Sequence, residues 1–323
     1  MSMLLQVENL TSTFFLDEGV LKAVDGISFQ VNEKETVALV GESGCGKTIV
    51  ALSLLNLIPW PGRVVGGSIL FNGENLLRVN MERLRQIRGS DIGMIFQEPG
   101  AALNPVFTIG HQITEVLRLH RGLGKHEAKT EAVRLLGETG IPEPEKRIKA
   151  YPFEFSGGMQ QRAVIAIAIS GRPKLLIADE PTTALDVTVQ GEIVDLLCYL
   201  QEQYKMAILL ITHDMGVVAE MAKRVMVMYT GKLVEVAQTH ALFREPKHPY
   251  TQGLLQSIPK LGFGRKEPLH GIPGVVPDFL DLPSGCTFHP RCTIGDTSCT
   301  SEFPPLRNIS DMRKCACYKV GTG

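Results

Sequence analysis

No apolar run in this 323-residue chain approaches the roughly 18 residues that a membrane-spanning helix needs. The longest unbroken one, residues 163–169, has seven, so no helical span is expected. Net charge is lacking as well: 33 Lys plus Arg against 34 Asp plus Glu leave −1. That balance gives no electrostatic reason to expect nucleic acid or an anionic bilayer as a general partner. Residues 1–15 show no basic leader, apolar core and small-residue cleavage site, so secretion is not indicated and a cytoplasmic location is expected. Internal repeats and low-complexity tracts are missing. With 44% hydrophobic and 21% charged residues, the chain reads as an ordinary globular protein of about two domains.

What is present is an alternation of strands and helices, the pattern of an α/β sheet protein. Strands are expected over residues 4–10, 23–31, 36–40, 92–96, 174–178 and 207–211. Helices are expected over about 47–57 and 188–204, with a mostly helical stretch from 108 to 169. Residues 225–229 and 232–236, joined by Thr230-Gly231, read as a hairpin. Beyond about residue 237 prolines recur, among them Pro259, Pro268, Pro273, Pro277, Pro283, Pro304 and Pro305. Long regular elements cannot form there, and the segment needs another source of order.

Gly41-Glu42-Ser43-Gly44-Cys45-Gly46-Lys47-Thr48 fits the phosphate-loop pattern G-x-x-x-x-G-K-[ST]. The glycines let successive backbone N–H groups curl around phosphates, and the following helix points its positive end at them. Lys47 would reach the β- and γ-phosphates and the Thr48 hydroxyl would ligate Mg²⁺. The bland alternative is a plain strand-to-helix turn. Cys45 can be a small residue in a serine-like place. The neighbouring positive groups could instead lower its pKa enough for alkylation to block nucleotide binding. Downstream, the apolar run 175–178 ends in Asp179-Glu180. Asp179 would hold Mg²⁺ through water and Glu180 would position and deprotonate the attacking water, unless the pair merely caps a helix.

Ser156-Gly157-Gly158-Met159-Gln160-Gln161-Arg162 makes the chain resemble the ATP-binding subunit of an ABC transporter. The family's signature usually begins Leu-Ser-Gly-Gly; here Phe155 stands in the Leu place. The resemblance implies that Ser156, Gly157 and Gly158 contact the ATP held by a partner's phosphate loop, across a head-to-tail dimer. It likewise implies that Gln97 touches Mg²⁺ and the attacking water, and that Ala184-Leu185-Asp186 contacts the opposite subunit. His213 would be the switch histidine near the γ-phosphate, and Phe14, with Phe15 beside it, the aromatic stacked on adenine. Leu103-Asn104-Pro105 and His248-Pro249-Tyr250-Thr251 resemble the dipeptide/oligopeptide importer branch, although nickel and oligosaccharide branches share many motifs.

The cysteines are unevenly spread. Cys45 and Cys198 stand alone, while Cys286, Cys292, Cys299, Cys315 and Cys317 crowd together. In a reducing compartment such a cluster reads as a metal site. No C-x-x-C pair of the zinc-ribbon type occurs among them. Some peptide-importer ATPases carry a 4Fe–4S site in this extension, which implies Cys286, Cys292, Cys299 and Cys317 as ligands. Zinc, with His289 a further ligand, and Cys315 in place of Cys317 stay open.

The expected architecture is thus an α/β, P-loop ABC-type nucleotide-binding domain over residues 1–240, with an antiparallel β subdomain and a helical subdomain at about 98–169. A loop-rich, metal-binding C-terminal extension would follow over 241–323. The implied cofactors are ATP, Mg²⁺ and a 4Fe–4S cluster. The implied partners are a second ABC ATPase chain (a heterodimer), two transmembrane permeases and an extracellular or periplasmic solute-binding protein. The subunit would sit peripherally on the cytoplasmic side of the inner membrane. A soluble ABC-type ATPase acting on DNA or the ribosome is the rival, but its long coiled-coil insertion, doubled cassette and basic tract are all missing.

Overall fold

The computed structural model describes residues 2–258 and 271–321; Pro259 and Pro268 of the proline-rich stretch lie outside them. In chain order the strands are β1 (Met3–Leu16), β2 (Gly19–Asn32), β3 (Thr36–Val40), β4 (Gly62–Phe71), β5 (Glu74–Asn75), β6 (Ile92–Ile95), β7 (Leu175–Asp179), β8 (Ala207–Thr212), β9 (Arg224–Tyr229), β10 (Lys232–Gln238), β11 (Arg307–Ser310) and β12 (Arg313–Cys315). The helices are α1 (Lys47–Leu54), α2 (Met81–Ser90), α3 (Pro99–Ala102), α4 (Ile109–Arg121), α5 (Lys125–Glu138), α6 (Pro144–Arg147), α7 (Gly157–Ser170), α8 (Val187–Tyr204), α9 (Met215–Met221), α10 (Thr239–Arg244) and α11 (Pro249–Gln256). Among the described residues no helix is long and apolar enough to cross a membrane. The chain divides into two compact units.

The first unit comprises Val31–Thr36 and Arg78–Leu210 with the first residues of the chain. Within it β6 and β7 run parallel, Met94 opposite Ile177, and β8 neighbours β7. Every residue of β7 is buried, as a strand covered on both faces by helices requires. Helices α4, α5 and α7 pack on one another. Thr108 Oγ1 accepts the His111 N–H at the start of α4, and Ser156 Oγ accepts the Met159 N–H at the start of α7, satisfying donors that a helix start leaves open. The expected helical stretch 108–169 is broken between α5 and α7. Pro142, Pro144 and Pro152 allow only α6 and a 3₁₀ turn there, because proline lacks the N–H a helix interior needs.

The second unit comprises Leu5–Gln30, Val37–Leu77 and the chain from Ile211 onward. An antiparallel sheet has the order β2-β1-β4-β5, and β1 pairs with β4 from Leu5 opposite Phe71 to Phe14 opposite Gly62. The sequence reading places no strand over residues 62–71. Gly66-Gly67 interrupts the alternation there, and the register shifts opposite it, between Glu8 and Thr11. Gly67 has φ +93°, and a Cβ on it would lie 2.5 Å from the Glu8 carbonyl oxygen, so the irregularity depends on glycine.

A second set of strands in this unit has the order β11-β12-β10-β9-β3, with β3 and β9 parallel. The β9–β10 pair is the expected hairpin; Thr230 and Gly231 both have positive φ, as its tight turn demands. The segment beyond β10 shares a core with these strands. Tyr250, Phe288, Cys286 and Cys299 pack in one cluster with Val40, Val227, Tyr229 and Val234. A buried ion pair adds order. The Glu235 carboxylate accepts from Arg313 Nη2 at 2.8 Å, from the His248 N–H at 2.8 Å and from the Lys247 N–H at 3.0 Å.

Candidate functional site

The phosphate-loop residues connect β3 to α1 within the second unit. β3, Thr-Val-Ala-Leu-Val, is buried throughout, so it is a rigid base from which the loop departs. Gly46, the residue before α1, has φ +105°, and a Cβ there would lie 2.2 Å from the Ala23 carbonyl oxygen. No other residue fits without displacing that backbone. Lys47 is 5% exposed, and its Nζ donates to the Gly41 and Glu42 carbonyl oxygens at 2.8 and 3.0 Å. The lysine is therefore curled back over its own loop. Ser43 and Gly44 are exposed, and Thr48 is half-buried in the first turn of α1.

Cys45 bears on the two readings of its place in the loop. It is fully buried, and burial pushes its thiol pKa up despite the opposing pull of Lys47. Desolvation outweighs the nearby charge, which favours the small residue in a serine-like place over the activated thiol.

In the first unit, β7 ends at Asp179, which is 1% exposed, and Glu180 follows at 9%. Glu180 has φ +48°, in the left-handed region that non-glycine residues rarely adopt. Gln97, just after β6, donates through Nε2 to Glu180 Oε2 at 3.1 Å, and Thr183 Oγ1 donates to the same oxygen at 2.9 Å. One carboxylate oxygen is thereby held by two neutral donors. The signature residues Ser156, Gly157 and Gly158 form the start of α7, and Asp186 caps α8 by accepting the Val189 N–H. Gln161 of the same signature is 2% exposed and donates to the Pro181 carbonyl oxygen at 2.8 Å, tying α7 to the turn after Glu180.

Two residues named from the resemblance lie in the second unit. His213 is exposed at the end of β8. Phe14 is half-buried in β1 against Gly62, while Phe15 is exposed with the Arg63 guanidinium 4.6 Å from its ring centre.

Four of the five clustered cysteines, Cys286, Cys292, Cys299 and Cys317, line one small pocket with His248, Phe288 and Pro304. The Cys286 N–H donates to the Cys299 carbonyl oxygen at 2.8 Å, which closes the loop between them. Burial, and then the neighbouring thiols, push the Cys286 thiol up to about 11. Cys315 does not line this pocket. It ends β12, where it pairs with Glu235 of β10. Among the described residues no group of three or more His, Cys, Asp or Glu side chains is placed to hold a metal ion. The metal-bearing character expected of the extension is not shown, then, although the donor set, four thiols around one pocket, suits an iron–sulfur group.

The sequence reading named neither the Thr183 contact nor the Gln161 contact. Thr183 lies three residues after Glu180, and its N–H closes a turn onto the Glu180 carbonyl oxygen, a spacing that could have found it. It also missed Arg291, whose guanidinium meets Glu42 from 249 positions away; no local signal announces such a pair.

Comparison with known proteins fits this geometry. Residues 24–183 match the family described as ABC transporter, and residues 234–299 match the oligopeptide/dipeptide transporter C-terminal region. The dipeptide transport ATP-binding protein DppD of Escherichia coli (strain K12) is 46% identical over 315 residues, 98% of this chain and 96% of that protein. The dimeric post-hydrolysis ATP-binding cassette MJ0796 bound to ADP and Pi has a TM-score of 0.66 at 26% identity, over 73% of this chain and 98% of that one. For cbiO1 of Clostridium perfringens, part of the ABC transporter complex cbiONQ, the TM-score is 0.63 at 26% identity, over 76% and 92%. An ABC ATPase cassette with mixed α/β sheets, continued by the peptide-transporter C-terminal region and alike along nearly its whole length, places this chain in the family of ABC transporter ATP-binding proteins.

Proposed function

We propose that this chain is the ATP-hydrolysing subunit that powers import of di- or oligopeptides through an ABC transporter. The observation that carries the reading is the near-full-length likeness to a dipeptide transport ATP-binding protein, joined to a match over residues 234–299 to that branch's C-terminal region. In this reading Gly41, Glu42, Ser43, Gly44, Cys45, Gly46 and Lys47 wrap the phosphates of ATP, and Phe14 stacks on the adenine. Thr48, Gln97 and Asp179 hold Mg²⁺. Glu180 takes a proton from the attacking water, and His213 contacts the γ-phosphate. Ser156, Gly157 and Gly158 serve the nucleotide of a second ATPase chain, most simply in a heterodimer. Catalysis is positioning plus charge stabilisation, because phosphoryl transfer needs little covalent help from the protein.

The chain's partners in this reading are two transmembrane permeases and a solute-binding protein, with the ATPase peripheral on the cytoplasmic face of the inner membrane. No nucleic acid is involved. Residues from about 241 onward form the extension, and Cys286, Cys292, Cys299 and Cys317 hold a 4Fe–4S cluster there. The support is their convergence on one pocket that Cys315 does not line. When bound, such a cluster would cross-link a proline-rich segment.

Expression with the permease genes tests the reading. The subunit should co-purify with two polytopic membrane proteins and drive ATP-dependent uptake of a labelled dipeptide into vesicles, and Glu180→Gln should abolish it. Uptake of nickel or an oligosaccharide, with none of peptide, would overturn the substrate.

A further inference from the structure

Glu42 is a carboxylate inside a loop whose other groups are arranged for an anion. Its side chain is 26% exposed, and Lys47 Nζ donates to its own carbonyl oxygen. Left alone, that negative charge would oppose any polyphosphate approaching the loop. It is not left alone. Arg291 Nη1 donates to Glu42 Oε2 at 2.7 Å and Nη2 to Oε1 at 3.0 Å, a two-pronged pair. The Arg291 side chain is only 4% exposed. Its Nε donates to the Pro273 carbonyl oxygen at 2.9 Å, and Nη1 reaches the Tyr229 hydroxyl at 3.3 Å. The guanidinium also lies 5.8 Å from the ring centre of Tyr229 and 5.9 Å from that of Phe288. A second group from the same part of the chain grips the backbone of Glu42: its N–H donates to the buried Tyr250 hydroxyl at 2.8 Å.

We infer that Arg291 is a positioning residue for nucleotide binding, cancelling the charge of Glu42 and fixing that side of the phosphate loop. Tyr250 fixes the adjoining peptide. The segment beyond β10 thereby sets the affinity for MgATP without touching it. The inference rests on the proposed ATP site and adds to it a residue that no phosphate-loop pattern contains. Arginine suits the role because its planar fork pairs both carboxylate oxygens at once and keeps its charge when buried.

The test is a charge cycle read by calorimetric titration with MgATP and by the split between KM and kcat. Arg291→Gln should weaken MgATP binding about tenfold, because it exposes Glu42 to the incoming phosphates. The loss should appear in Kd and KM, with kcat at saturation nearly unchanged, and should shrink as salt is raised. Taken from Glu42→Gln as the reference, the further change to Glu42→Gln/Arg291→Gln should cost no more than about twofold in affinity. That small effect is the readout a merely structural arginine would not give, since the double variant lacks the same packing. Arg291→Gln binding as tightly as wild type would overturn the inference, and so would a tenfold loss between Glu42→Gln and the double variant. If Arg291→Gln does not fold, the step from Glu42→Gln to the double variant decides, a loss within about twofold supporting the inference and a tenfold loss contradicting it. Wild-type chain that takes up no MgATP would overturn the proposed function itself, whereas normal wild-type binding with an indifferent Arg291 overturns only this step.

Discussion

Gln97 and Glu180, separated by 83 positions, meet through a hydrogen bond of 3.1 Å from the amide to the carboxylate oxygen that Thr183 also holds. In the proposed function Glu180 is the general base, and these two neutral donors fix the position of its carboxylate. Glu180→Gln should still bind MgATP while hydrolysis falls by about 10²–10³-fold, the scale of losing one transition-state group. Thr183→Val, which keeps the shape and drops the donor, should cost about three- to tenfold in kcat with KM little changed. Steady-state phosphate release measures both. Near-normal turnover in Glu180→Gln would remove it from the role of base.

The two neighbouring cysteines at the end of the chain should behave differently. Cys317 lines the shared pocket, whereas Cys315 pairs with Glu235 in the β10–β12 ladder. After anaerobic purification, Cys317→Ser should lose iron and acid-labile sulfide, and Cys315→Ser should retain them. Stoichiometric zinc without sulfide in the wild-type chain would overturn the cluster.

Cys45 should be inert. Its burial and raised pKa leave little thiolate for attack at neutral pH. Iodoacetamide added to the folded chain should leave Cys45 unmodified by peptide mass spectrometry, and should label it after denaturation. Rapid labelling of native protein would contradict the burial.

Glu131 gives a pH dependence with a definite sign. Hydrogen bonds from Arg134 first, then Arg121, hold its carboxyl at about 2, below the ordinary 4.5. The unfolded chain therefore takes up a proton that the folded chain refuses. The resulting stability is present above pH 4.5 and is lost as pH falls towards 2. Because the pair is partly exposed, Glu131→Gln should cost only about 1 kcal/mol at neutral pH. Denaturant titration should show that difference closing in acid.

Much of this was legible locally. The phosphate loop, the buried run ending in Asp179 and the 225–236 hairpin each carry their signal within a dozen residues, so spacing and periodicity suffice. β4 was not legible, because Gly66-Gly67 at its register shift breaks the two-residue alternation that marks a strand. The chain between 139 and 156 read as helix from its surroundings, yet three prolines stop it. Cys315 and Cys317 are indistinguishable by spacing. They part because β12 ends at Cys315 and the chain leaves the sheet before Cys317. Pairs such as Arg291–Glu42 leave no trace in sequence, since folding alone brings together positions 249 apart.

Calorimetric titration of MgATP into the Glu180→Gln chain tests the central claim most directly. The account predicts saturable uptake of one nucleotide per chain, abolished by Lys47→Ala in a protein that remains folded. No uptake by the parent, or undiminished uptake after Lys47→Ala, would contradict it.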